Sequence, residues 1–317
     1  MIRHMHRLPC FAAVCLLPLA GCPAEQPPDD DDDTPVEWDY ELDPDVDGYV
    51  PDGYVPEDPA RLIYLGDSIT AGAGASSGST SYTSLLVEND EDEWGGWGEQ
   101  DLRSLYGDGF EVVDVSRGGA TTSSLVQDQL PALSSELGDS VSGSSIVVMT
   151  VGGNDMQSAL FPILFADDPD AVATERIGEV EANMETTLDY FEDSTRFPDG
   201  VHLFFTNIYE PSDAVGVSQC FFQTDYSTIL RHFDQANATM RALAEERGTA
   251  MVDLRGHFLG HGMYSDDESV EAYDAQDPTQ WFSDDCIHPN DRGHHELRRL
   301  FITAIEGRPL EAFGEAP

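Results

Sequence analysis

The stretch Arg61-Leu62-Ile63-Tyr64-Leu65-Gly66-Asp67-Ser68-Ile69-Thr70 decides the fold that we expect for this chain. Its first five residues form a short, mostly apolar run, which is typical of a strand buried inside a sheet. Small residues follow from Ala71 to Ala75, where the backbone can turn sharply. A serine at the end of such a strand faces the edge at which parallel sheets bind ligands. Ser68 is therefore a candidate nucleophile, and an ordinary strand-to-loop turn is the alternative.

Four further apolar runs alternate with helical patterns along the rest of the chain. We expect the later strands at residues 110–115, 146–151, 201–208 and 249–254. We expect helices at residues 98–105, 122–137 (interrupted near Pro131), 175–191, 226–247 and 291–305. Alternating strands and helices predict an α/β protein in which a five-stranded parallel sheet lies between helices, in one domain over residues 60–306.

The charge balance excludes several classes of function. The 317 residues include 61 acidic and 15 basic side chains, which give a formal net charge of -46, and every basic residue is arginine. A chain without lysine has no P-loop lysine and no Schiff-base lysine. Nucleic-acid binding needs a basic surface, so we expect no nucleic-acid partner.

The N-terminal segment has the pattern of an export signal. Arg3 and Arg7 precede the apolar run Leu8–Ala20, and Leu19-Ala20-Gly21-Cys22 resembles the bacterial lipoprotein signal, in which the cysteine carries lipid. A plain secretory signal is the alternative. We expect residues 1–22 to be a signal segment ending at Cys22. The mature protein would be exported and tethered by lipid to a membrane, facing the periplasm or the cell surface.

The segments that flank the expected domain are polar. Residues 23–59 are rich in Asp and Pro, with five consecutive Asp at positions 29–33, and we expect a disordered, charge-extended tether there. Residues 307–317 are expected to be a short tail.

Five cysteines are present in the sequence. Cys10 and Cys15 lie in the apolar run of the signal, and Cys22 is the expected lipidation site. Cys220 and Cys286 remain, and in an oxidising compartment we expect them to form a disulfide. Two buried free thiols are the alternative.

Three later segments carry polar groups that suit a serine nucleophile. Asp285-Cys286-Ile287-His288-Pro289 precedes the last helix, and histidine is the side chain suited to accept a serine proton near neutral pH. Asp285, three residues earlier, is positioned to orient the ring of His288. Donors for a developing oxyanion are the N–H of Ser68, the N–H of Gly119 and the side-chain amide of Asn154.

These segments together resemble those of the SGNH, or GDSL, hydrolases over residues 60–306. The matching elements, in order, are Gly66-Asp67-Ser68-Ile69, the Gly119 of Gly-Gly-Ala-Thr-Thr, Gly152-Gly153-Asn154-Asp155 and Asp285-x-x-His288-Pro289. One departure is Ser116-Arg117, where the family often has Asn.

The resemblance implies a three-layer α/β/α sandwich with a flavodoxin-like sheet and a serine esterase or lipase that uses neither metal nor cofactor. It implies that Ser68 is the nucleophile, His288 the general base and acid, and Asp285 the residue that orients the histidine. Gly119 and Asn154 would complete the oxyanion hole with the N–H of Ser68. The resemblance also favours the Cys220–Cys286 disulfide.

Other polar and aromatic residues carry weaker signals. We interpret His294-His295-Glu296 as the exposed start of a helix, because adjacent residues on a helix do not share a face and so do not converge on a metal. Trp94 and Trp97 are candidates for the rim of the site. His257 and His261 are expected in a loop, either exposed or lining the cleft. Residues 160–165 either line an acyl pocket or belong to the core, and we favour the core.

The leading functional hypothesis is a monomeric serine hydrolase of carboxylic esters. Its substrate would be a small-molecule, lipid or glycan ester, and the sequence does not separate lipase from carbohydrate deacetylase. The rival hypothesis, motivated by the acidic charge and the tether, is a surface-anchored binding protein that keeps the hydrolase fold without turnover.

Overall fold

A computed structural model describes residues 47–98, 100–220 and 223–308. The expected signal segment, its Cys22, residues 23–46 of the expected tether and residues 309–317 of the tail lie outside these described residues.

A parallel sheet forms the centre of the described domain. The strands are β1 Arg61–Gly66, β2 Glu111–Asp114, β3 Ser145–Thr150, β4 Val201–Thr206, β5 Val217–Ser218, β6 Thr224–Asp225 and β7 Ala250–Val252. Five of them pair in the order β2-β1-β3-β4-β7, all parallel, while β5 and β6 form a small antiparallel hairpin. The predicted five-stranded parallel sheet is thereby confirmed.

The described helices connect these strands. They are α1 Tyr82–Val87, α2 Glu91–Trp94, α3 Leu102–Tyr106, α4 Thr122–Ser124, α5 Leu130–Leu137, α6 Gly153–Leu164, α7 Pro169–Glu192, α8 Leu230–Arg247, α9 Leu254–Phe258 and α10 Asp291–Glu306. A π-helical turn, Leu125–Gln129, joins α4 to α5. The sequence did not predict α1, α2, α6 or α9, because each of them begins among Gly, Ser, Asp or Asn residues that are also typical of turns.

Both faces of the sheet are covered by helices. Ile63 and Leu65 of β1 point into one apolar cluster, with residues of α6, α7 and α8, while Leu62 and Tyr64 point into a second cluster, with residues of α1 and α10. This alternation follows from the two-residue period of a strand. All six residues of β3 are buried. The domain is therefore a three-layer α/β/α sandwich, as expected.

The start of the domain differs from the expected boundary at residue 60. Tyr49 forms an antiparallel bridge with Met251 at the edge of the sheet, with both N···O distances 2.7 Å. The hydroxyl of Tyr54 accepts a hydrogen bond of 2.8 Å from the N–H of Leu203. Residues 48–54 therefore pack on the sheet, where they cover the outer edge of β7, instead of belonging to a free tether.

No helix within the three described ranges combines the length and the apolar composition that crossing a bilayer requires.

The end of β1 is fixed by a side chain that the sequence did not single out. The amide of Gln129, in the π-helical turn, accepts from the N–H of Gly66 at 2.8 Å and donates to its carbonyl at 2.7 Å. Gly66 has φ +118°, and a Cβ built there would lie 2.2 Å from the carbonyl oxygen of Thr150. Only glycine fits this position, immediately before the Asp67-Ser68 turn.

We expect Gly66→Ala to lower the free energy of unfolding by roughly 3 kcal/mol or more, because the new methyl group meets backbone atoms that have nowhere to move. Gly248, at the end of α8, is the control. It has a left-handed backbone conformation (φ +64°, ψ 34°), but a Cβ there meets nothing within 4 Å, so Gly248→Ala should cost only about 1 kcal/mol. Urea unfolding of both variants measures the difference, and equal losses would contradict the steric explanation.

Candidate active site

Ser68 lies in a turn at the carboxyl end of β1, directly above a buried polar network. Oδ1 of Asp67 accepts from the N–H of Ile69 at 3.0 Å and from the hydroxyl of Thr150 at 2.8 Å. The hydroxyls of Thr70 and Thr150 lie 2.8 Å apart, and Thr70 also bonds the hydroxyl of Tyr82 at 2.8 Å. These side chains are buried, and they fix the backbone that presents Ser68.

Burial raises the pKa of Asp67 to about 6, although the hydrogen bonds from Thr150 and Ile69 act in the opposite direction. The carboxyl group loses the hydration that would stabilise its charge. Asp67, one residue from Ser68, therefore titrates at about pH 6.

His288 lies on the other side of Ser68. Its Nε2 is 2.8 Å from Oγ of Ser68, and its Nδ1 is 2.5 Å from Oδ2 of Asp285. Because the carboxylate accepts the proton on Nδ1, Nε2 is the acceptor that faces the serine hydroxyl. The structure thus brings together the three residues proposed from the sequence, although Ser68 and His288 are 220 positions apart.

Asp285 is held by its own loop. Burial would raise its pKa, but hydrogen bonds from His288, Ile287 and Ser283 outweigh burial and hold the pKa of Asp285 below its ordinary value. Its Oδ1 accepts from the N–H groups of Ile287 and His288, both at 2.9 Å, and from the hydroxyl of Ser283 at 2.8 Å. The carboxylate stays ionised at neutral pH, as a partner that orients a histidine must be.

The loops after β2 and β3 are joined beside Ser68. Asp155 accepts from the N–H of Thr122 at 3.0 Å and from its hydroxyl at 2.8 Å. The side-chain amide of Asn154 donates to the carbonyl of Ala120 at 2.9 Å, which places Asn154 beside Gly119. Within the described ranges, the N–H groups of Ser68 and Gly119 donate to no protein acceptor. A Cβ built on Gly118 would lie 4.0 Å from the Cβ of Ser68, and Ser68 and Asn154 line the same cavity, so the predicted oxyanion donors lie close together.

The loop that carries Asp285 and His288 is braced from two directions. Cys286 forms a disulfide with Cys220, beside the β5–β6 hairpin. The hydroxyl of Tyr209, which follows β4, donates to the carbonyl of Ile287. Both contacts link the histidine loop to the segment after β4, so the position of His288 depends on that segment.

The interpretation of His294-His295-Glu296 as an exposed helix start is wrong, because all three side chains are buried under α1, α2 and α9. His294 donates from Nε2 to the carbonyl of Ala73 at 3.0 Å and accepts at Nδ1 from the N–H of Tyr82 at 3.2 Å. Burial lowers the pKa of His294 to about 4, so it is neutral at physiological pH. It anchors the loop that follows Ser68.

The neighbouring side chains of α10 point elsewhere. Trp94 stacks on His295 with ring centroids 3.8 Å apart, and Glu296 lies 2.9 Å from His257 and 2.8 Å from Arg299. Burial would raise the pKa of Glu296, but its contacts with His257 and Arg299 hold it at about 2. The side chains of these three adjacent residues therefore point in different directions and do not converge on one metal ion.

The expectation that Trp94 and Trp97 form a rim is also wrong, since both are buried in the cluster beneath α10. His261 is buried and stacks on Trp281 with ring centroids 3.5 Å apart. Neither His257 nor His261 lines the cavity at Ser68.

A cavity of about 210 Å³ opens beside Ser68 and Asn154. It runs between α6 and the segment after β4, and its lining includes Leu160, Ile208 and Phe233. The expectation that residues 160–165 are core holds for Ile163 but not for the two phenylalanines of this segment. Phe161 and Phe165 are 53% and 81% exposed, and Phe161 borders the cavity.

The sequence did not predict the roles of Gln129, Thr150, Tyr82, Tyr209 or His294. Each is tied to the site by hydrogen bonds to residues that are 12 or more positions away in the sequence. Glutamine, threonine and tyrosine in buried elements carry no local pattern that marks such contacts.

A serine hydroxyl within hydrogen-bond distance of a histidine, at the carboxyl edge of a parallel sheet, is an arrangement suited to a hydrolase that acts through a serine side chain. Residues 64–296 match the family model described as the GDSL-like lipase/acylhydrolase family. The chain belongs to this family, and it is an ester hydrolase. The family assignment favours catalysis over the rival hypothesis of a binding protein.

Several solved structures are similar to this chain at low sequence identity. A variant of the acetyl xylan esterase from Geobacillus stearothermophilus is 19% identical, with a TM-score of 0.51, over 81% of this chain and 98% of that one. An extracellular lipase from Streptomyces rimosus is 17% identical (TM-score 0.46, 79% and 100% covered). A lipase from a goat rumen metagenome is 16% identical (TM-score 0.49, 79% and 99% covered). No curated protein sequence matches the chain at a significant level.

The raised pKa of Asp67 predicts a stability effect. At pH 5 the folded protein keeps the Asp67 proton, while the unfolded chain, with an ordinary pKa of 3.8, has released it. The Asp67 contribution to unfolding free energy therefore falls as pH rises from about 4 to above 6, by a total on the order of 3 kcal/mol. Asp67→Asn keeps the Oδ1 acceptor and removes the titration.

We expect the unfolding free energy of the natural protein, minus that of Asp67→Asn, to decrease by this amount between pH 4 and pH 8. Urea unfolding at several pH values measures both curves. Asp114→Asn, at the exposed end of β2, is the control and should give a curve parallel to that of the natural protein. A parallel curve for Asp67→Asn would contradict the assignment.

Proposed function

We propose that the protein hydrolyses carboxylic esters by a Ser68-His288-Asp285 mechanism. The observation that carries this proposal is the pair of contacts made by His288, 2.8 Å to Oγ of Ser68 and 2.5 Å to Asp285. A serine hydroxyl becomes an effective nucleophile when an adjacent base accepts its proton, and that base needs a fixed tautomer.

In the first half of the reaction, Oγ of Ser68 attacks the ester carbonyl carbon while its proton passes to Nε2 of His288. Asp285 stabilises the imidazolium that forms. The N–H groups of Ser68 and Gly119 and the side-chain amide of Asn154 donate to the oxygen that becomes negative. The intermediate then collapses, and His288 returns the proton to the leaving alcohol, which leaves an acyl group on Ser68.

In the second half, His288 takes a proton from water, and the resulting hydroxide attacks the acyl carbon. Collapse of the second intermediate releases the carboxylic acid, and the proton returns from His288 to Oγ of Ser68. Each proton that His288 accepts is given back within the same half-reaction, so the enzyme ends in its starting state.

We also propose that the hydrolase is exported and anchored by lipid at Cys22. This proposal rests on the sequence alone, with its basic start, its apolar run and the Leu-Ala-Gly-Cys motif. An anchor would hold the domain close to a membrane, which suits ester substrates supplied by lipids or by glycans of the cell surface.

Ser68→Ala should lower kcat for p-nitrophenyl esters by at least about 10⁴-fold while leaving the fold unchanged, because the nucleophile is lost. Ser76→Ala is the matched control, since Ser76 lies in the exposed part of the same loop. Its kcat should stay within about twofold of that of the natural protein. Ester hydrolysis at the natural rate by a folded Ser68→Ala variant would overturn the mechanism.

Cys22→Ala should move the protein from the membrane fraction to the soluble exported fraction of the producing cells, because the residue that carries the lipid is gone. Fractionation followed by immunoblotting measures the distribution. Retention of Cys22→Ala in the membrane fraction would argue against the lipid anchor without affecting the assignment of the hydrolase.

A further inference from the structure

The cavity beside Ser68 follows one face of α6. Asn154, Gln157, Leu160 and Phe161 all line it, at the three- and four-residue spacing that places side chains on one side of a helix. The seven positions from Asn154 to Phe161 correspond to about 10 Å along the helix axis. The cavity is therefore elongated, with the oxyanion residue Asn154 at one end and the half-exposed Phe161 at the other.

Most of the cavity wall is apolar, and two of its polar residues, Glu210 and Asn207, are bonded inside the protein. Glu210 accepts from the N–H of Ser212 at 2.8 Å, from the N–H of Ala214 at 3.2 Å and from the hydroxyl of Tyr226. Asn207 likewise donates to Asp253 at 2.7 Å. Groups that are already bonded offer little to the hydroxyls of a sugar, so the cavity favours an apolar ligand.

The volume sets the size of that ligand. An apolar cavity of about 150 Å³ is known to hold benzene, with its six carbons. By proportion, the cavity of about 210 Å³ holds roughly eight carbons. An acetyl group would leave most of this space unfilled.

We propose that the cavity is the acyl site for medium-chain esters, with acyl groups of roughly six to ten carbons. The carbonyl lies at Ser68 and Asn154, and the chain runs along α6 towards Phe161. This proposal rests on the hydrolase mechanism proposed above and names its substrate class. It distinguishes a lipid-type or medium-chain esterase from a deacetylase.

The substrate profile of the full-length protein tests the proposal. We would measure kcat/KM for p-nitrophenyl esters from acetate to dodecanoate, below the concentration at which the esters form micelles. Each methylene buried in the cavity should raise kcat/KM by about fourfold. The rise should continue to octanoate and level off beyond decanoate, where the chain emerges at Phe161.

Leu160→Trp fills the cavity and should lower kcat/KM for octanoate at least tenfold relative to that for acetate. Leu164→Trp is the matched control, because Leu164 is on the same helix and is partly buried against the same core, but it does not line the cavity. Its octanoate-to-acetate ratio should be unchanged. Gln157→Trp, at an exposed position that also lines the cavity, repeats the test should Leu160→Trp fail to fold.

The outcomes distinguish this proposal from the mechanism on which it rests. One outcome is that Ser68→Ala loses activity, that activity is highest with acetate, and that Leu160→Trp and Gln157→Trp keep the chain-length profile. It would overturn the acyl-site proposal alone. Activity that persists in folded Ser68→Ala would overturn the mechanism itself.

Discussion

The buried carboxyl group of Asp67 is the constraint around which the catalytic edge of the sheet is arranged. It is buried, and one of its oxygens accepts from the hydroxyl of Thr150 on the neighbouring strand and from the N–H of Ile69. These bonds turn the chain sharply after β1 and leave Ser68 at the surface of the turn. Gln129 bonds Gly66, the residue before Asp67, so the turn that carries the proposed nucleophile Ser68 is held from both sides.

Other elements hold the loops on either side of this turn. His294 of α10 is buried and bonds the carbonyl of Ala73, in the loop after Ser68. Tyr209 and the Cys220–Cys286 disulfide brace the loop of Asp285 and His288 from the segment after β4. The same segment forms one wall of the cavity. Under the proposed mechanism, substrate binding and the position of the general base therefore depend on one stretch of chain.

The sequence predicted the sheet and the chemistry better than it predicted the supporting contacts. Five apolar runs separated by helical patterns were enough for the parallel sheet, because buried strands need apolar side chains on both faces. Helix α6 was missed because Gly152-Gly153-Asn154 is typical of a turn. Residues 294–296 were misread because adjacent residues on a helix face different directions, which does not tell whether each direction is buried. Their burial depends on Trp94, Tyr82 and His257, which tertiary packing alone brings near.

The most direct test of the account is covalent labelling of the full-length protein with an alkyl fluorophosphonate, followed by mass spectrometry of its peptides. The reagent captures a serine whose proton is taken by an adjacent base. We expect a single adduct, on Ser68, with loss of ester hydrolysis in proportion to labelling, and a much slower reaction in His288→Ala. An adduct on another serine, or full hydrolysis by protein labelled at Ser68, would contradict the account.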